Sequence, residues 1–249
     1  MLKMIKMDLY RFFRSASIWI SLFANVILAF LSVILIRTMS DNNVSIQIYS
    51  DVRELLAAQI NGGILMVLCA ITGIIFASAK YKWGFIKNII IPLPCREMLI
   101  FSEIVMMAIV CALHFLVYSA CTIGAWEIFL GNAFISFSFP AIMEMLIVQF
   151  LLHWGFCCLL LLLYILTDST TFAMVAGLLI SFKFLNIFYA LVERFTHFNL
   201  AQYMLDYNIF QIGTESTKRL YTRAAVVGMI FLLAEIALLC LVMRKKDIK

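Results

Sequence analysis

Six long apolar runs dominate this sequence and limit what it can fold into. They lie at about residues 18–36, 60–79, 98–123, 141–166, 172–192 and 224–243. Each is about as long as the roughly 20 residues that a helix needs to cross a bilayer. Because 65% of the 249 residues are hydrophobic and only 13% are charged, a soluble domain could not bury so much apolar surface. The sequence therefore predicts an all-α polytopic membrane protein, with residues 1–249 as a single transmembrane domain.

Residues 1–15 precede the first run and are amphipathic. Apolar side chains recur at helical spacing on one face, at Leu2, Ile5, Leu9 and Phe12. Basic side chains lie off that face, at Lys3, Lys6 and Arg14. This pattern predicts an N-terminal amphipathic helix in the membrane interface. The alternative is an ordinary basic flank that only fixes topology.

The distribution of basic residues predicts the orientation of the six runs. With both termini cytoplasmic, the cytoplasmic segments hold twelve basic residues and the external segments six. Positive charge accumulates on the cytoplasmic side of membrane proteins, so we expect the N and C termini inside and the chain in the cell membrane. The cluster Lys218, Arg219 and Arg223 opposes this bias.

A basic segment joins the second and third runs and has an organisation of its own. Trp83, Phe85, Ile86, Ile89 and Ile90 mark one side of a short helix. Pro92 and Pro94 end that helix, since proline disfavours a helical residue before it and cannot donate a backbone hydrogen bond. The pattern predicts a cytoplasmic amphipathic helix that lies along the membrane or docks into a partner.

This segment resembles a known one. Gly84, the pair Lys87-Asn88, then Pro94 and Arg96 before a span are similar to the segment between the second and third spans of ABC permeases of the type-2 exporter class. In that family the segment is a coupling helix that contacts the ATPase subunit. The resemblance assigns ATPase coupling to Gly84, Phe85, Lys87, Asn88, Pro94 and Arg96. The family often has a lysine where this chain has Glu103, so that position is not carried over. The alternative is a purely topogenic basic flank.

The resemblance implies a permease subunit of an ATP-driven exporter. Two six-span chains, identical or paralogous, would sit on two ABC-type ATPase subunits, which hold the ATP and Mg. Small permeases of this kind resemble self-protection systems against antimicrobial peptides, such as lantibiotic or bacitracin transporters. The implied substrate is therefore a hydrophobic or amphipathic molecule, most simply an antimicrobial peptide or drug, taken from the lipid bilayer or moved across it.

The sequence lacks the motifs of several other functions. It has no Gly-x-x-x-x-Gly-Lys-Ser/Thr phosphate loop, so we expect ATP hydrolysis on a separate subunit and no enzyme activity, catalytic residue or cofactor in this chain. Its three histidines have no metal-ligand spacing, and its seven cysteines form no disulfide framework. The basic residues flank apolar runs instead of forming a patch, so nothing in the sequence supports nucleic-acid binding.

Polar residues inside the runs are costly and are therefore functional candidates. The ionisable ones are Glu103, His114, Glu144, His153, Lys183 and Glu235. Glu103 and Glu144 lie near run ends, where the alternative is that they simply reach water. Lys183 and Glu235 lie roughly 16 and 12 Å from the cytoplasmic ends of adjacent runs at 1.5 Å per residue. We therefore predict an ion pair between them, which would offset the cost of burying both charges.

One face of the fourth run carries Gln149, His153 and Cys157 at intervals of four residues. The spacing fits a proton relay, a ligand contact or a hydrogen bond between helices. Asn186 shares a face with Lys183. Two other functions stay open. One is a proton-coupled secondary transporter, with Glu103, His114, Glu144 or His153 as the carrier, and the other is a membrane scaffold that transports nothing.

Two connections also carry predictions. The turn 167–171 offers Asp168 or Ser169 as a cap for the next helix. The loop 193–221 is rich in aromatic residues, and we expect it to fold back onto the membrane surface or onto the spans.

Overall fold

The computed structural model describes residues 2–41, 51–82, 97–130, 138–213 and 217–245. Their regular structure is helical throughout. The N-terminal helix is Leu2–Arg14 and the first span is Ala16–Asp41. A short linker helix, Val52–Asn61, leads into the second span, Ile64–Lys82. Asp51 caps the linker helix, since its carboxylate accepts a hydrogen bond from the Arg53 backbone at 3.1 Å.

The third and fourth spans are the longest helices, Glu97–Leu130 and Phe139–Thr167. The fifth run forms two helices, Thr170–Ser181 and Leu185–Thr196, which are bent by 63° at the break between them. We call these two helices the bent pair. A single unbroken helix over 172–192 was therefore a wrong expectation.

The remainder of the chain closes the bundle. A 3₁₀ turn, Ala201–Tyr203, precedes a short helix, Leu205–Gln211, which we call the cap helix. The sixth span is Lys218–Lys245. Among the described residues, five helices are long and apolar enough to cross a membrane, and the bent pair makes a sixth crossing if it acts as one span. The chain is thus a multi-pass helical membrane protein, as its apolar runs predicted.

The fourth span lies at the centre of the bundle. It contacts the sixth, second and third spans, the bent pair, the cap helix and the linker helix. Leu152, Phe156 and Leu160 on it are fully buried. The first span is peripheral: 22% of it is buried, against 67% of the second span. Its outer face exposes large apolar residues such as Ile20 and Phe23, which is the surface expected to face lipid.

Contacts between helix ends define two ends of the bundle. At one end the Arg244 guanidinium bonds the Glu97 carboxylate, and Lys80 contacts Asp8. We call this the basic end. At the other, the Asn61 amide donates to the Ile212 carbonyl at 3.0 Å. We call this the cap end, because the cap helix packs there against the fourth span, the sixth span and the linker helix.

The turns between helices agree in part with the predictions. Ser169 caps the helix Thr170–Ser181, accepting a hydrogen bond from the Phe172 backbone at 3.2 Å. Asp168 instead ends the fourth span in a left-handed conformation, with φ 53°. The expectation that part of the loop 193–221 folds onto the spans is confirmed, since the cap helix packs directly on the fourth span.

Candidate functional site

A buried cluster of charged and polar side chains joins three helices at the basic end. Asp8 comes from the N-terminal helix, Lys80 from the second span, and Ser102 and Glu103 from the third. The Lys80 ammonium lies 2.8 Å from Asp8 Oδ2 and 3.6 Å from Glu103 Oε1. The Ser102 hydroxyl donates to Asp8 Oδ2 at 2.6 Å. All four residues are at most 1% exposed. We call these four residues the ion network.

Two further residues complete the surroundings of the ion network. The Tyr81 hydroxyl donates to Glu103 Oε2 at 3.2 Å. The Arg11 guanidinium lies 3.8 Å from Asp8 Oδ1, donates to the Phe76 carbonyl at 3.1 Å and stacks 4.4 Å above the Phe76 ring. Two cations therefore face two carboxylates, and this balance offsets the large cost of removing the charges from water.

The ion network lies beside the two helix ends that flank the segment 83–96. The second span carries Lys80 in its last turn and ends at Lys82, immediately before the segment. The third span begins at Glu97 directly after it, and Ser102 and Glu103 follow within two turns. Asp8 joins the N-terminal helix to both spans, through Lys80 of the second and Ser102 of the third. The arrangement is suited to transmitting a displacement between helices, since its members are packed and bonded to each other.

The predicted coupling residues Gly84, Phe85, Lys87, Asn88, Pro94 and Arg96 lie outside the described residues. The two carboxylates near span ends behave differently. The alternative that Glu103 simply reaches water is wrong, because its side chain is buried against Lys80 and Tyr81. Glu144 does lie exposed, near the cap end of the fourth span.

His114 joins the first three spans at the middle of the third. The Asn25 amide donates to the His114 carbonyl at 3.0 Å and lies 3.0 Å from His114 Nδ1. On the other side of the ring, Nε2 lies 3.2 Å from the Thr72 hydroxyl and 3.3 Å from that of Ser21. Hydrogen bonds between spans of this kind stabilise membrane bundles, so the cluster has a structural explanation.

The polar face of the fourth span makes three separate contacts. The Gln149 amide donates to the Ile209 carbonyl of the cap helix at 2.9 Å. His153 Nδ1 lies 2.8 Å from the Gln149 carbonyl, and its ring meets the Phe115 ring edge-on at 4.8 Å. Cys157 Sγ lies 3.4 Å from Cys111 Sγ. The contacts fit hydrogen bonding and packing between helices better than a continuous proton relay.

The predicted ion pair between Lys183 and Glu235 is wrong. Lys183 lies at the break of the bent pair with φ 62°, and its ammonium stands 4.5 Å from the centre of the Phe210 ring. Glu235 is 3% exposed, and neither of its carboxylate oxygens has a hydrogen-bond partner among the described residues. The break redirects the helix after Ser181, so the register that a straight span would give is lost. Asn186, just past the break, is exposed.

Two buried carboxylates, those of Asp8 and Asp206, were not predicted from the sequence. The N-terminal helix buries Met4, Asp8 and Phe12, so an aspartate occupies the middle of the buried face. The signal was an acidic residue between two apolar ones at spacings of four. Asp206 of the cap helix is the other case: it accepts a hydrogen bond from the Tyr189 hydroxyl at 2.7 Å. Burial raises the pKa of the Asp206 carboxyl.

Across the described parts of the chain, no three His, Cys, Asp or Glu side chains come together in a way that could hold a metal ion. The fold thus defines a multi-pass membrane protein whose buried polar groups connect helices. No protein-family model matches the sequence, and no curated protein matches it either.

Proposed function

We propose that this chain is the permease subunit of an ATP-driven ABC exporter of the type-2 class, located in the plasma membrane. The basic end is the cytoplasmic end, with both termini inside, and the N-terminal helix lies in the membrane interface. The segment 83–96 is the coupling helix. Two permease chains, identical or paralogous, assemble with two ATPase subunits, which bind ATP and Mg.

The observation that carries this proposal is the ion network beside the two helix ends that flank the segment 83–96. A segment that receives force from an ATPase needs rigid connections to the helices it moves. Lys80 and Glu103 supply such a connection between the second and third spans, and Asp8 extends it to the N-terminal helix. A shift of the segment would therefore move three helices together, in the manner of a rigid-body transition.

The substrate class follows from the resemblance of the segment 83–96 to that of type-2 exporter permeases. We propose a hydrophobic or amphipathic molecule, such as an antimicrobial peptide or drug, that partitions into the bilayer. Export of such a molecule would protect the cell that makes or meets it.

Co-purification with an ATPase tests the proposal. The C-terminally tagged chain is solubilised gently from its native host, and retained proteins are identified by mass spectrometry. We expect an ATPase with a phosphate-loop motif, and we expect the double variant Lys87→Glu/Arg96→Glu to release it by reversing the charge of the docking segment. The matched control is Lys218→Glu/Arg219→Glu, which reverses two exposed charges at the cap end and should retain the ATPase.

The possible results separate the parts of the proposal. An ATPase that stays bound in the Lys87→Glu/Arg96→Glu variant supports the permease and refutes the docking segment. The absence of any ATPase from the native preparation refutes the permease.

A proton-coupled secondary transporter is the second candidate, and Glu235 favours it. Its carboxylate is buried within the sixth span without a hydrogen-bond partner among the described residues. Intramembrane ionisable groups of this kind occur in proton pathways. In proteoliposomes without an ATPase, an imposed pH gradient would then drive ethidium efflux. Glu235→Gln should abolish this efflux. The control Glu144→Gln, at an exposed position, should leave it intact. The absence of gradient-driven efflux from the unmodified protein refutes this candidate.

A further inference from the structure

A groove of about 500 Å³ lies between the third and fourth spans on the side of the cap end. Three small residues of the third span line it, Ala112, Ser119 and Ala120, beside larger apolar residues of both spans such as Phe115 and Phe150. The groove therefore lies along a part of the third span that carries small side chains.

The groove is open sideways and is apolar. Leu116, Phe139 and Ile147 on its rim are 68%, 60% and 65% exposed. All thirteen lining residues are uncharged, and the only hydroxyl among them belongs to Ser119. Because the third and fourth spans are membrane-crossing helices by length and composition, the open side faces the hydrocarbon of the bilayer.

The dimensions of the groove decide what can occupy it. Its lining on the third span runs from Ala112 to Ile123, roughly 16 Å at 1.5 Å per residue. That is close to one leaflet, half of the ~30 Å hydrocarbon layer. A helix segment of that length, about 10–12 Å across with its side chains, fills roughly 1,300–1,800 Å³. That is about three times the groove's volume of about 500 Å³, so a helix of a second copy does not fit inside.

We propose that the groove binds one acyl chain of a membrane glycerolipid from the leaflet at the cap end. The chain lies along the small residues, with its methyl end near Ala112 and its ester end near Ile123. Carbon atoms pack at about 3.5–4.0 Å, so a single alkyl chain is slender enough to lie in a groove that is too small for a helix. The lipid site does not depend on the ATPase partner, and either can fail without the other.

Photolabelling in nanodiscs tests the site. The purified protein is reconstituted with excess unlabelled phosphatidylcholine and a trace of phosphatidylcholine that carries a diazirine in one acyl chain. After illumination, labelled peptides are mapped by mass spectrometry. We expect several-fold stronger labelling of residues 112–123 and 142–150 than of the exposed face of the sixth span. A diazirine near the methyl end should label near Ala112, and one near the ester should label near Ile123.

Two matched variants distinguish a bound chain from lipid that merely surrounds the protein. Ala120→Trp places a bulky ring in the groove from an exposed lining position, whereas Ala237→Trp adds the same ring to an exposed position of the sixth span. We expect Ala120→Trp to lower labelling of the groove several-fold and Ala237→Trp to leave it unchanged, with both variants monodisperse by size exclusion.

Three outcomes would overturn the lipid site. Equal labelling of the groove and the sixth span, unaffected by Ala120→Trp, identifies ordinary surrounding lipid. Labelling that does not depend on the position of the diazirine along the chain contradicts the proposed orientation. Groove labelling below that of the sixth span, in a dimer that Ala120→Trp dissociates, assigns this face to a second copy of the chain.

Discussion

At the scale of single residues, the buried charges of the ion network carry the tightest constraint. Lys80 contacts two carboxylates, those of Asp8 and Glu103, at 2.8 and 3.6 Å. Removing one partner of a buried ion pair leaves an uncompensated charge, which costs far more than the pair itself contributes. The lysine is therefore more sensitive to substitution than any surface cation.

We predict that Lys80→Met destabilises the protein by about 3–5 kcal/mol, because both carboxylates lose their central cation. Thermal unfolding in detergent, followed by size exclusion, measures the change. Lys218→Met, at an exposed position of the sixth span, is the control and should leave the melting temperature nearly unchanged. Equal melting temperatures for the two variants would contradict the structural role of the ion network.

At the scale of elements, the cap helix is held by close backbone contacts as well as hydrogen bonds. Gly213 follows it with φ 118°, and a Cβ built there would lie 2.1 Å from the Cβ of Ala57 in the linker helix. Gly63 is similar, with φ 80° and a Cβ position 2.6 Å from the Ser181 carbonyl oxygen. Only glycine permits the linker helix, the cap helix and the bent pair to approach so closely.

We predict that Gly213→Ala costs at least about 1–3 kcal/mol, from backbone strain alone, and that it displaces the cap helix. Gly124→Ala is the matched control: a Cβ there meets nothing within 4 Å, and alanine favours the helix by roughly 0.5–1 kcal/mol. Thermal unfolding and limited proteolysis of the 198–213 region compare the two. A Gly213→Ala protein as stable and as protease-resistant as Gly124→Ala would refute the packing of the cap.

At the scale of the whole molecule, contacts at the two ends of the bundle show the direction in which the bent pair crosses it. The bent pair starts beside Thr167, at the end of the fourth span remote from the cap helix. Ser181 already lies against Gly63 at the cap end. The first helix of the bent pair therefore traverses much of the bundle, and Leu185–Thr196 turns away from it by 63°.

This arrangement predicts that residue 213 and the C terminus lie on opposite sides of the membrane. Reporter fusions measure it: alkaline phosphatase should be active after Gly213, and green fluorescent protein should fluoresce at the C terminus. The reverse result would invert the proposed orientation. Reporters on the same side at both positions would show that the sixth span does not cross.

The sequence by itself determined the class of protein and five of its six predicted spans, while the run 172–192 is divided into the bent pair. A hydrocarbon layer offers no hydrogen-bond partners, so an apolar run of about 20 residues that crosses it forms a helix, which pairs its backbone groups internally. The sequence also limited the cap of the next helix to Asp168 or Ser169, because a capping side chain binds a backbone group only two or three residues away, here that of Phe172.

Only the tertiary structure decided which buried polar groups meet. Asp8 finds Lys80 across 72 positions of sequence, whereas Lys183 and Glu235, matched by depth alone, do not meet. A span's apolar composition gives its depth but hardly its rotation, and a single break, such as that at Lys183, changes both for every residue that follows. Charge pairing in a bundle depends on rotation and register together, and these are fixed only when all the helices pack.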